Sequence, residues 1–179
     1  MSNLRLINQT TTTVAQAINV TDVFSADYDI YKIVISGLNQ DTNVESETNG
    51  LRFINSSGSV ITASDYDYGI LEMLSGTTTA PETKSTTASA IYLGQYSDQV
   101  GEGNSNVVIY VFNPFNSSSY TFTISQNAGY ISAYNLVAGK GMGVLHQTNS
   151  ITGFQIYESD TSKPFESGSK IITYGLRVD

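Results

Sequence analysis

The segment Ile151 to Asp179, I-T-G-F-Q-I-Y-E-S-D-T-S-K-P-F-E-S-G-S-K-I-I-T-Y-G-L-R-V-D, decides how the chain is read. Two strand-like runs, Ile151 to Glu158 and Lys170 to Val178, flank a polar stretch carrying Pro164, Ser167 and Gly168. That is the pattern of a hairpin with a long connection. In the second run Ile172, Tyr174, Leu176 and Val178 share one face, and Thr173, Gly175 and Arg177 share the other. A run that alternates this well implies a sheet to receive it.

Upstream the same period of two recurs. Tyr28 to Leu38 sets Tyr31, Ile33 and Ile35 on one face and Ile30 and Val34, with Lys32 between them, on the other, as in a central strand. Val107 to Phe112 is apolar on both faces and predicts a mid-sheet strand with a cover on each side, one cover being a neighbouring subunit. Tyr120 to Ser125 sets Tyr120, Phe122 and Ile124 against Thr121, Thr123 and Ser125, a strand with one wet face. Shorter runs at Leu51 to Ile54, Val60 to Ala63, Ile70 to Leu74, Ala90 to Tyr96, Tyr130 to Val137 and Met142 to Gln147 read the same way. Between them, Asp65 to Gly69 reads as a loop segment, Ser75 to Ser89 as a low-complexity loop, Ser97 to Asn106 as a turn-rich loop and Gly139 to Gly143 as a hinge.

About ten short strands with no helical apolar period predict an all-β fold, an antiparallel two-sheet β-sandwich that is jelly-roll-like, with a C-terminal hairpin and a short N-terminal arm. Residues 1–20 read as that arm and a weak edge strand, and residues 21–179 as a single sandwich domain. At 179 residues one domain suffices, and folding at this size buries roughly 70% of the unfolded surface.

The charged fraction is 13%, with Ser, Thr, Asn and Gly standing where Lys and Glu usually do. A net charge of -8 and a pI near 4.4 repel a phosphate backbone, which argues against nucleic acid as a partner. With no Cys, disulfides, thiol nucleophiles and thiolate metal sites are excluded. No apolar run approaches the roughly 20 residues of a membrane helix, and Met1 to Gln9 lacks a signal-peptide pattern. The expectation is a soluble protein made in a cytoplasm that leaves it, if at all, within a particle released by lysis.

No reactive constellation stands out. Asp27/Asp29 and Asp65/Asp67 each place two carboxylates about 7 Å apart on one side of an extended segment, but lack the ladder of oxygen ligands that a calcium loop presents. The stretch Asp98, Glu102, Asn104 and Asn106 lacks it as well. These acids read as solvated, and no metal is expected. His146 is the single histidine and Ser59 has no nucleophile-elbow context, so a catalytic triad is not supported. Glu72, Glu82, Glu102 and Asp98 show no spacing that singles out a glycosidase pair, and Trp is absent. The glycines at 101, 103, 139, 141 and 143 lack a P-loop ending, so they read as hairpin and bend glycines. No catalytic, cofactor-binding or metal residue is assigned, and binding residues stay unassigned. Of the 12 tyrosines, Tyr31, Tyr120 and Tyr174 read as core, and Tyr66, Tyr68 and Tyr96 as contacts to another subunit.

Ile151, Gly153, Phe154, Tyr157, Phe165, Ser167, Gly168, Tyr174, Gly175 and Leu176, together with Y-D-I-Y-K-I-V-I-S-G-L from Tyr28 and L-R-F-I-N from Leu51, carry a resemblance. The pattern resembles small jelly-roll or β-sandwich virion proteins of tailed bacteriophages, found as head-decoration, knob and tail-fibre components. The resemblance implies a non-enzymatic structural virion protein, first of all a capsid decoration or knob protein. It also implies partnership with itself as a homotrimer and with the major capsid protein or tail proteins, and no cofactor. The alternative it leaves open is a tail-fibre or receptor-binding, carbohydrate-binding module with loop tyrosines as its stacking platform.

Overall fold

A computed structural model describes residues 3–39, 48–95, 105–131, 135–159 and 164–177. Its strands are β1 (Leu4–Thr11), β2 (Ala17–Val20), β3 (Ile30–Leu38), β4 (Thr48–Asn55), β5 (Tyr66–Leu74), β6 (Glu82–Ala88), β7 (Ile91–Gln95), β8 (Ser105–Phe112), β9 (Thr121–Ile131), β10 (Asn135–Leu145), β11 (Ile151–Glu158) and β12 (Lys170–Leu176). They form an all-β sandwich of two antiparallel sheets. The larger is eight-stranded in the order β1-β12-β3-β8-β9-β10-β5-β6, and the smaller four-stranded in the order β2-β11-β4-β7. Among the described residues no helix is long and apolar enough to cross a membrane.

The two strands with two apolar faces, β3 and β8, lie mid-sheet as expected, covered on their inner faces while Tyr110 on the outer face is 37% exposed. Tyr31, Ile33 and Ile35 of β3 and Val107, Ile109 and Val111 of β8 are buried against Leu51 and Phe53 of β4 and Phe154 and Ile156 of β11. Each such side chain contributes about 1.5–3 kcal/mol by leaving water, an upper bound because the unfolded chain already buries some of it. Tyr31 meets Phe24 edge to face at 4.7 Å. Its hydroxyl donates to the Ser25 carbonyl at 3.0 Å and accepts the Ser25 N–H at 2.8 Å, so a polar group at the core margin is satisfied.

Residues 4–20 supply an edge strand to each sheet, β1 beside β12 and β2 beside β11. The expected C-terminal hairpin does not form. β11 pairs with β2 and β4 in the small sheet, whereas β12 pairs with β1 and β3 in the large one. The two strands thus lie in different sheets, and Phe165, which precedes β12, is fully buried and bridged to Ala15. An aromatic anchored in the core ahead of β12 holds the two strands in different layers.

Three more expectations are corrected. Asp65 to Gly69 is not a loop, because β5 begins at Tyr66 and that side chain is fully buried. Its hydroxyl accepts the Phe53 N–H and donates to the Ile61 carbonyl, both at 3.0 Å, tying β5 to the opposite sheet. The low-complexity run contains an edge strand, β6, whose β-branched threonines suit a strand and whose Glu82 and Lys84 blunt the edge. The glycine series is no hinge. β10 runs unbroken through it. A Cβ at Gly143 would lie 2.7 Å from the Ile91 side chain of β7, and one at Gly139 or Gly141 would crowd Asn127 or Ser125 of β9, so these positions are small because neighbouring side chains lie close above them.

Candidate functional site

The tight fit of β7 over β10 dictates the character of the strand next to it. Only small side chains have room beneath β7, and β9 turns Thr121, Thr123, Ser125 and Asn127 inward, all buried. The Thr123 hydroxyl donates to the Gly143 carbonyl at 3.4 Å. Its bulky residues therefore face outward: Phe122 is 46% exposed, Ile124 44% and Tyr130 43%. The alternation is as clean as expected, but the apolar face is the outer one. β12 behaves alike, with Ile171, Thr173 and Gly175 buried and Ile172, Tyr174 and Leu176 only partly so.

The outward residues join into rows that follow the ladder registers. One row crosses all eight strands: Leu6, Tyr174, Lys32, Tyr110, Ile124, Met142, Gly69 and Lys84. Beside it run Ile30, Phe112, Phe122, Val144 and Asp67, and on its other side Val34, Val108, Gln126, Lys140, Leu71 and Glu82. The Lys32 ammonium lies 5.9 Å from the Tyr110 ring centroid, a cation–π contact. Because Gly69 has no side chain, a groove of about 970 Å³ opens between Met142, Phe122 and Lys84. The charges on this face are few and mixed. Lys32, Lys84, Lys140 and Lys170 stand against Asp67 and Glu82, in a chain whose net charge is -8.

With strands about 4.8 Å apart and about 25 Å long, the outer face of the eight-stranded sheet covers roughly 800 Å², the area one partner gives to a standard interface. Within that face apolar residues occupy adjacent rows, interrupted by Lys32, Lys140 and Gln126.

The other residues singled out in the sequence fall as follows. His146 meets Asp67 at 3.2 Å and packs on the Tyr120 ring at 5.5 Å. Asp65 accepts from the Gln147 amide at 2.7 Å, and Asp27 from the Ser25 hydroxyl at 3.0 Å. Ser59 accepts from Ser57 within the Asn55 turn. Asn106 accepts from the Gly37 N–H at 3.3 Å. Glu72 points inward and is buried, whereas Glu82 stands on the outer face, so the two do not converge. Among the described residues no group of three His, Asp or Glu is placed to hold a metal ion. Tyr96, Asp98, Gly101, Glu102, Gly103 and Asn104 lie outside the described residues.

Tyr31 is core as expected. Tyr66, expected at a contact, is core instead, and Tyr120 and Tyr174, expected in the core, lie toward the outer face. Sequence reasoning missed Leu71, Met73 and Met142 as surface residues. Met142 stands opposite Gly69, which leaves its side chain uncovered, whereas Leu71 and Met73 stand opposite Lys140 and Ala138 on the same outward face.

No family model matches this chain, and no curated protein matches it. Among solved structures, an alginate lyase from Alteromonas sp. 272 shows 7% identity over 84% of this chain and 73% of that one, with a TM-score of 0.29. A polysaccharide lyase family 18 protein, aly-SJ02, shows 9% identity over 94% and 83%, with a TM-score of 0.33. The VP2 subviral particle of infectious bursal disease virus shows 12% identity over 97% and 40%, with a TM-score of 0.19. Likenesses this remote carry no argument about function.

Proposed function

We propose that this chain is a non-enzymatic structural virion protein of a tailed phage, a capsid decoration or knob protein that assembles as a homotrimer on the particle surface. The observation that carries the assembly part is the inversion of β9, which keeps Thr and Ser inside and sends Phe122 and Ile124 out. A strand written this way loses apolar burial in the isolated chain and regains it when its outer face is covered. The occupant we assign to that face is a second copy. The roughly 800 Å² available meets what a stable interface needs from each partner. With Lys32, Lys84, Lys140 and Lys170 against Asp67 and Glu82, this face is less repellent to another copy than the net charge of -8 would make an average surface. The phage setting is supported by the sequence resemblance. Contact with the major capsid protein would follow from the remaining edges and loops of the trimer.

Sedimentation of the purified protein tests the assembly, with a trimer expected. A strict monomer at all concentrations would remove that part of the reading. Electron microscopy of the particle tests the setting, hundreds of copies being expected for decoration and a handful meaning a tail position.

A further inference from the structure

A second concavity lies away from the outer face, where β5 and β6 of the large sheet come against β7 and β4 of the small one. It measures about 410 Å³ and is walled by Asn49, Tyr68, Glu72, Tyr92 and Tyr157, with Ser89 at its rim. The volume sits in the range of small-molecule sites, about 300–1,000 Å³.

Its walls are held in place by the fold. The ladders set Gly50 opposite both Tyr157 and Tyr92. A Cβ at Gly50 would collide with the Tyr157 ring, so that ring lies on bare backbone. The Arg52 guanidinium stacks 3.7 Å from the centroid of the same ring, and its Nε donates to the Ser89 carbonyl at 3.0 Å. Tyr68 and Tyr92 lie 5.9 Å apart with their planes at 58°. Burial first, then the carboxylates of Glu72 and Glu158 nearby, pushes the Tyr92 phenol up, and burial does the same to Tyr68. Both phenols stay protonated and able to donate.

Asn49 is the feature the fold does not use. It is 1% exposed, yet neither its Nδ2 nor its Oδ1 has a hydrogen-bond partner. A buried amide left unpaired at both ends costs about 1–3 kcal/mol for each group, a cost relieved if the amide turns into the cavity to meet a ligand.

We infer that this pocket binds an uncharged saccharide unit, with Asn49 and Glu72 meeting its hydroxyls and Tyr68 and Tyr92 packing against its ring. An amide with an idle donor and an idle acceptor matches a pair of neighbouring hydroxyls, one accepting and one donating. A cation wants acceptors only and leaves the Asn49 N–H unmet. An anion is disfavoured by Glu72 and by the charge of -8. The inference is independent of assembly, since the pocket shares only Tyr68 with the lining of the outer groove.

The test follows backbone amide NMR spectra of the purified chain during titration with D-glucose, D-galactose, N-acetyl-D-glucosamine and L-fucose, each to about 50 mM, a ceiling set by the millimolar affinity of a single sugar unit. Galacturonate and choline serve as the anionic and cationic probes. At least one neutral sugar is expected to shift resonances around Asn49, Glu72 and Tyr92. Asn49→Ala, which removes an amide with no partner and so folds as well as the parent, is expected to weaken that binding about tenfold. Shifts with choline alone, with galacturonate alone or with no probe would overturn the inference. So would sugar-induced shifts that Asn49→Ala leaves unchanged. The same titration on an outer-face variant that does not self-associate is expected to give the same result, which separates this site from the assembly reading.

Discussion

Ile124 and Met142 stand directly opposite each other across the β9–β10 ladder, both facing out of the sandwich and both exposed. They are the centre of the row that crosses the large sheet. Each sits on a strand whose inner positions are small, so the pair could not be turned inward without displacing β7. Their exposure is a property of how the layers fit.

The double substitution Ile124→Lys with Met142→Lys is therefore expected to abolish self-association while changing the unfolding free energy of the single chain by no more than about 0.5 kcal/mol. Sedimentation velocity and urea melts of the same sample check both halves. A variant that still sediments with the parent would exclude this face as the interface.

Gly143→Val places a branched side chain against Ile91, which already lies 2.7 Å from where a Cβ would sit. Overpacking of this kind costs about 1–3 kcal/mol, and a urea midpoint shift of that size is expected. No loss of stability would mean that β7 does not lie as close to β10 as described.

Thr173 is fully buried on the inner face of β12, and its hydroxyl has no partner. Thr173→Val keeps the shape and removes the unpaired group, so the protein is expected to gain about 1 kcal/mol. Thermal unfolding is the check, and a fall in midpoint would reveal a partner for that hydroxyl.

Desolvation by burial, opposed in part by the hydrogen bond from the Phe53 N–H, pushes the Tyr66 phenol up to about 12. In the unfolded chain it ionises near 10, so above about pH 10 the folded state holds the extra proton. This contribution is complete below about pH 10 and declines as pH rises toward 12, by about 3 kcal/mol in all. Tyr68 and Tyr92 shift in the same direction and add to the loss. Denaturant melts from neutral to alkaline pH should show the fall. Tyr66→Phe should make it shallower while costing about 1–3 kcal/mol at neutral pH, because Phe53 N–H and Ile61 C=O lose their partner. An unchanged slope would count against Tyr66 as a source.

The sandwich was legible because alternation with period two survives in the sequence whatever covers it. Tyr31, Ile33 and Ile35, and Val107, Ile109 and Val111, declare both the strand and its inner face. What alternation does not declare is which face of a strand is inside when both are plausible. Phe122 and Ile124 look like core until the inner side of the neighbouring strand is seen to be closed, Gly143 by Ile91 of β7 and Gly139 and Gly141 by Asn127 and Ser125 of β9 itself. The separation of β11 and β12 was hidden for a related reason. The sequence between them reads as a connection of either kind, and only the strand pairings put β11 and β12 in different sheets. The pocket was out of reach of a linear reading altogether, because Asn49, Tyr68, Tyr92 and Tyr157 come from four strands joined only by the fold.

The position of β12 between β1 and β3 bears on how the chain is made. Until Lys170 to Leu176 has been synthesised, β1 has no neighbour to pair with and β3 presents a bare edge, so the large sheet cannot close while the ribosome is still extending the earlier strands. Completion of the large sheet is thereby postponed until β12 has been made, and slow, long-range strand pairing of this kind is exposed to aggregation in the meantime. Nascent chains stalled before Lys170 are accordingly expected to be digested by protease as readily as unfolded chains, and resistance is expected to appear only once that strand has cleared the exit tunnel.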